Sequence, residues 1–204
     1  MVSKVIAGVD EVGRGALFGP VVAAAVILPE SATAELTALG VTDSKLLLPG
    51  QRDRLMEQVR RLAVDCQIGI ASVREIDRLN ILQASLLAMR RAIARLNPQP
   101  DLCLVDGNQR IPGLLIPQQT IIKGDQSCLA IAAASILAKV WRDRLIVRLS
   151  ARYPSYDLAT NKGYGTAAHR LALQTHGRTP QHRRSFKPCQ LESFPVQQKL
   201  DLSP

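Results

Sequence analysis

Short apolar runs dominate the first part of this chain, and helical spacing of apolar residues takes over later. Residues 5–9 form a compact apolar run, which DEVGRGALFGP at 10–20 breaks with three glycines and a proline. A second run at 21–28 ends at Pro29. This pattern predicts two strands joined by a glycine-rich loop. Leu55, Met56, Val59 and Leu62 recur among charged residues, so 51–63 is predicted as a helix. Residues 63–71 read as a third strand. Residues 75–96 read as one long amphipathic helix stopped by Asn97-Pro98. Residues 102–105 form a buried strand ending in Asp-Gly-Asn, and 115–122, interrupted by Pro117, reads as a short edge strand. The Ala-rich stretch 127–149 is a helix that Asp125 or Ser127 is placed to cap. Beyond Tyr153 come turn signals, a short helix around 167–174 and basic loops. The last 15 or so residues lack apolar periodicity and read as a loose tail. The class is mixed α/β, with strands first and helices concentrated later.

At 204 residues the chain fits one domain with a real core, and with 3% aromatics that core is aliphatic. No run approaches the ~18 to 20 apolar residues of a membrane span, and the N-terminus lacks a secretory h-region. Cytoplasmic residence without a membrane partner is the expectation. Cys66, Cys103, Cys128 and Cys189 are scattered without a C-x-x-C pair, which argues for reduced thiols rather than zinc.

Charge changes the picture more than composition does. Between Lys123 and Gln190 stand twelve Lys/Arg against three acids, which accounts for the whole formal net charge of +9. A one-sided basic half suits a polyanion such as nucleic acid, although a solvated basic surface has the same signature.

Four acids have distinctive settings. Asp10 and Glu11 follow an apolar strand and precede the glycine loop. Asp106 ends LCLV, and Asp125 lies between Gly124 and a helix start. Each alone reads equally well as a turn, cap or surface acid. Together they suggest a cation, because clustered carboxylates repel unless a positive ion lies among them. Hard oxygen ligands select Mg²⁺ or Mn²⁺. Two such ions beside a basic surface suit phosphodiester hydrolysis. Asp10 and Glu11 are adjacent, and adjacent strand residues face opposite ways. Both join one site only if the strand bends or ends there. Neither G-x-G-x-x-G, a P-loop nor G-x-S-x-G occurs, which removes dinucleotide, P-loop and serine-hydrolase readings. His169, His176 and His182 read as backbone-contacting or surface histidines.

Several blocks, read in order, closely resemble ribonuclease HII. These are VDEVGRG at 9–15, GPVVAAAV at 19–26, TDSK at 42–45, VDG at 105–107 and KGD at 123–125. AIAAASILAKVWRD at 130–143, NKGYGTAAH at 161–169 and HRRSF at 182–186 complete the set. The resemblance spans about residues 4–188, with no departure at the acidic or glycine-loop positions.

It implies a ribonuclease-H-like fold: a central mixed β-sheet flanked by α-helices, with a helical, basic C-terminal segment at about 150–188 gripping the substrate. Residues 1–188 would form the catalytic domain and 189–204 a loose tail. The family's metal-binding, catalytic acids fall on Asp10, Glu11, Asp106 and Asp125. Its hydroxyl-sensing loop falls on Gly13, Arg14 and Gly15, where glycine permits close backbone approach to a ribose 2′-hydroxyl. Tyr164 would stack on the sugar, although a packed tyrosine is the plain alternative. Ser44, Lys45, Lys139, Arg183, Arg184 and Ser185 match phosphate contacts. Lys139 is also explained by an ion pair with Asp143, four residues on.

The implied activity is two-metal hydrolysis of RNA in RNA/DNA hybrids and of ribonucleotides embedded in duplex DNA, by a monomer. The alternatives are a non-catalytic duplex binder and another nuclease of the same broad fold. Ribonuclease HIII usually carries an extra N-terminal domain, for which a DEVGRG block starting at residue 10 leaves no room.

Overall fold

The structure is a computed structural model that describes residues 4–45 and 47–190. The expected loose tail therefore lies almost wholly outside the described residues. Five strands build one mixed sheet: β1 (Ile6–Val12), β2 (Val21–Ile27), β3 (Asp65–Ala71), β4 (Leu102–Asp106) and β5 (Gln118–Ile121), in the order β3-β2-β1-β4-β5. β2 runs antiparallel to both β1 and β3, while β1–β4 and β4–β5 are parallel. β5 lies at the edge, as Pro117 predicts.

The helices are α1 (Ala32–Ala38), α2 (Pro49–Leu62), α3 (Val73–Leu79), α4 (Ile81–Ile93), α5 (Gly124–Ser127), α6 (Leu129–Ser150), α7 (Leu158–Asn161) and α8 (Ala167–His176). α4 covers one sheet face, where Ala7, Val9, Ala23, Ala25 and Val105 meet Ala88, Met89 and Ala92. α6 and α2 cover the other, where Ala24 and Val26 meet Ala133, Ile136, Leu137 and Met56. Small residues let α6 approach closely. A Cβ on Gly8 of β1 would lie 2.2 Å from the Ala130 carbonyl carbon, so only glycine fits there. A third cluster, around Leu17, Phe18, Ile146, Tyr156, Leu158 and Leu173, packs the C-terminal elements against the glycine loop. Among the described residues no helix is long and apolar enough to cross a membrane.

Two expectations about elements are corrected. The single helix at 75–96 is two, because Asn80 adopts φ 74° and its side chain caps Gln83 N–H at 3.1 Å. With ψ 166° that backbone is one few residues other than glycine adopt, so the break is strained and the Asn80 side-chain cap helps to hold it. A capping box between Ser72 and Glu75 starts the first of the pair. Neither Asp125 nor Ser127 caps the long helix. Both lie within α5, and α6 starts after Cys128 without a side-chain cap. α1 was not anticipated at all.

Candidate active site

β1 does not stop at Val9. It continues to Val12, so Asp10 and Glu11 are strand residues, opposite Ala24 and Ala23. The parallel ladder with β4 ends at Val9↔Val105, and the next residue on each strand is an acid, Asp10 and Asp106. Two carboxylates thus emerge side by side on the face covered by α6. Glu11 points to the other face, but the strand ends one residue later, at Val12. Its carboxylate is held by Arg14 at 3.2 Å across the turn. The strand end resolves the alternation problem. Asp10, Glu11 and Asp106 line one cavity of about 400 Å³, together with Gly13, Arg14, Gly15, Ser44, Lys45, Ser135, Lys139 and Tyr164.

This crowding has an electrostatic consequence. Asp10 is only 5% exposed, and its carboxyl is pushed well above the usual range, first by burial, then by Glu11 and by Asp106. The Glu11 carboxyl is raised mainly by burial, with Arg14 opposing and Asp106 adding to the rise. Asp106 is oriented by Gly124 N–H, which donates to it at 2.7 Å. Asp125 is buried nearby but does not line the cavity. It accepts from Lys45 Nζ at 2.9 Å, and that ammonium also lies 3.8 Å from Asp43. Among the described residues no group of three or more His, Cys, Asp or Glu is close enough to enclose one metal ion. The donor set nevertheless fits a hard divalent cation, because its members are carboxylates crowded into one cavity, where Glu11 and Asp106 both disfavour charge on the buried Asp10. Gathering them onto an ion requires side-chain rotation.

The glycine loop is fixed from behind and open in front. Gly13 has φ +90°, and a Cβ there would lie 2.2 Å from Arg142 Nε, whereas a Cβ on Gly15 would meet nothing within 4 Å. Loop residue Ala16 bridges to Tyr164, whose ring closes the cavity beneath Lys139 Nζ, 5.6 Å from its centroid.

The remaining expected phosphate contacts divide. Lys45 is well exposed, with 75% of its side chain accessible. Ser44 is buried, and its hydroxyl lies 2.9 Å from that of Ser135. Lys139 pairs with Asp143 at 2.9 Å yet still lines the cavity. Arg184 is exposed, and its backbone N–H donates to Asp77 at 3.1 Å. The Ser185 hydroxyl also donates to Asp77, at 2.7 Å. Arg183 is the correction. It is fully buried, donating from Nε to the Gly19 carbonyl at 3.0 Å and from a terminal nitrogen to the Arg14 carbonyl at 2.8 Å. It holds the glycine loop from inside and offers no surface to a phosphate.

Residues 7–189 match the family described as Ribonuclease HII. The chain belongs to the ribonuclease HII family. The ribonuclease HII of Acaryochloris marina is 67% identical over 193 residues, covering 95% of this chain and 98% of its own. That of Trichodesmium erythraeum is 66% identical over 190 residues, with 93% and 90% covered. Among solved structures, the ribonuclease H2 from Pyrococcus horikoshii OT3 aligns with TM-score 0.76 at 28% identity, over 91% of this chain and 95% of that one. The sheet and its flanking helices are accordingly the ribonuclease-H-like fold of the ribonuclease HII family, and the activity is that of a ribonuclease H endonuclease.

Two features of this ribonuclease HII member escape a reading of its sequence. Arg142 is 0% exposed and ties three segments together, donating to the carbonyls of Pro20 at 3.1 Å, Phe18 at 3.0 Å and Lys162 at 2.9 Å. Arg142 stands among Lys139, Asp143 and Arg144 on α6, and nothing in that charged stretch separates it from its neighbours. Ser135, on the same helix, faces Asp10 and Ser44, and nothing in an Ala-rich run marks it.

Proposed function

We propose that the protein hydrolyses the RNA strand of RNA/DNA hybrids and cuts on the 5′ side of ribonucleotides embedded in duplex DNA, leaving 3′-hydroxyl and 5′-phosphate ends. The observation that carries this reading is the shared cavity. Three carboxylates from two adjacent strand ends open beside a glycine turn whose front is unobstructed. Asp10 and Asp106 would be the principal ligands of two divalent cations, Mg²⁺ or Mn²⁺, with Glu11 and Asp125 completing the set. Bound there, such ions supply activation of the attacking water and stabilisation of the leaving oxygen. Asp125 joins only by releasing Lys45, which then turns toward a phosphate.

The protein's own groups do the recognition. The open flank at Gly15 lets main-chain donors and acceptors reach a ribose 2′-hydroxyl, which is what separates RNA from DNA. Tyr164 presents a ring to the neighbouring sugar. Ser44, Lys45, Lys139, Arg184 and Ser185 are the phosphate contacts, and the basic segment 150–188 grips the duplex. We take the working form as a cytoplasmic monomer.

A labelled DNA duplex carrying one ribonucleotide, incubated with protein and Mg²⁺ beside an all-DNA control, tests this directly. A single cut 5′ of the ribonucleotide, with the control intact, is expected. Cleavage of both duplexes alike would remove the hydroxyl-sensing role of the loop.

A further inference from the structure

His169 and His182 are absent from the chemistry above, yet both are buried, at 0% and 1% exposure, directly behind Tyr164. Their hydrogen bonds fix where each proton resides. The backbone N–H and the hydroxyl of Thr179 each lie 2.9 Å from His182 Nδ1, and the hydroxyl, which accepts from Gln181 N–H, is free to donate to it. An amide N–H only donates, so Nδ1 accepts and a neutral His182 carries its proton on Nε2. That Nε2 lies 3.0 Å from His169 Nε2. Two N–H groups cannot face each other at that distance, so His169 Nε2 accepts and its proton is on Nδ1. His169 Nδ1 in turn donates to the Tyr164 carbonyl at 2.9 Å. Burial lowers the basicity of His169, and it takes His182 down to about 3, with the neighbouring ring adding to the effect on His182. Burial thus favours the neutral form of both rings.

The relay runs in one direction, from the Thr179 amide through two imidazoles to the Tyr164 carbonyl. It also bridges elements distant in sequence. Tyr164 pairs with Ala16 and His182 with Phe18, so both ends rest on the segment that leaves the glycine loop. Tyr156 packs against both rings, with centroids 6.0 and 4.9 Å away, and leaves them little room to turn.

We infer that His169 and His182 are positioning residues, a fixed-tautomer relay that sets the Tyr164 ring in register on the substrate. This rests on the substrate-facing reading of Tyr164 given under Proposed function. His169→Leu removes the donor while keeping bulk, and His169→Asn restores an N–H near the Nδ1 position. On the single-ribonucleotide duplex, His169→Leu is expected to lower kcat by roughly tenfold or more with KM nearly unchanged, because a small misplacement of a positioning group costs rate. His169→Asn should recover most of that loss. In a Tyr164→Ala background, His169→Leu should add almost nothing.

Ring ¹⁵N spectra of the unmodified protein provide a readout independent of activity, and should show Nε2–H on His182 and Nδ1–H on His169. Any other tautomer pair overturns the relay. The expected tautomers with additive losses in the double variant would overturn the positioning role, leaving a structural pair. The expected tautomers with an inert Tyr164→Ala would overturn both the tyrosine reading and the role built on it, and no other failure leaves that combination.

Discussion

Asp10→Asn is expected to lower cleavage of a single-ribonucleotide duplex by roughly a thousandfold or more while leaving hybrid binding within about threefold, because the change removes an ion-binding charge and no cationic contact. Initial rates in Mg²⁺ and a gel-shift titration in its absence measure the two effects. The same substitution should make the metal-free protein more stable. Asp10 is buried beside Glu11 and Asp106, and all three influences that dominate its carboxyl disfavour the charged form. Removing that charge relieves repulsion, which for a chain of this size raises Tm by roughly 2 to 4 °C per kcal/mol. Mg²⁺ should raise the Tm of the unaltered protein and have a much smaller effect on the variant. An active variant, or one with unaltered metal-free stability, would undo the assignment of Asp10. Catalytic function here is held against the preference of the fold.

Arg142→Ala carries the largest expected loss of stability. The guanidinium is fully buried and donates to three carbonyls from two loops, and burial lowers its basicity. Its removal orphans those carbonyls and leaves a void against Gly13, Gly19 and Gly163, all of which approach it. Orphaning buried acceptors costs about 1 to 3 kcal/mol each, so a loss of roughly 3 kcal/mol or more is expected. Urea denaturation should show that loss as a lower midpoint with a similar slope. Arg142→Lys should rescue little, because a point ammonium cannot reach three divergent acceptors as a planar fork does. The activity of whatever fraction folds should also fall, since the glycine loop loses its rear support. A variant of near-native stability would show that the loop is held by other contacts.

What the sequence made legible was whatever depends on local pattern. The apolar pattern marked all five strands within a few residues, and it placed Asp10 and Asp106 directly after two of the apolar runs. The ordered motif blocks drew the same acids together. The failures also have physical sources. Asn80 breaks a helix through a backbone conformation that apolar spacing does not report. The α1 helix is seven residues long, with only Ala32 and Leu36 buried, too little for a periodic signal. Asp125 reads as a cap because caps and ligands draw on the same residue types. Arg183 carries the same charge as Arg184, and only tertiary burial separates a loop anchor from a surface cation. The histidine relay was invisible for a related reason: its meaning lies in which nitrogen faces which, at a separation of 13 residues.

Anomalous diffraction from crystals soaked in Mn²⁺ tests the central claim most directly. The predicted result is manganese density in contact with the carboxylates of Asp10 and Asp106, with Glu11 turned toward it and Lys45 displaced from Asp125. Manganese bound only elsewhere, with Asp10 and Asp106 making no contact to it at saturating concentration, would contradict the account.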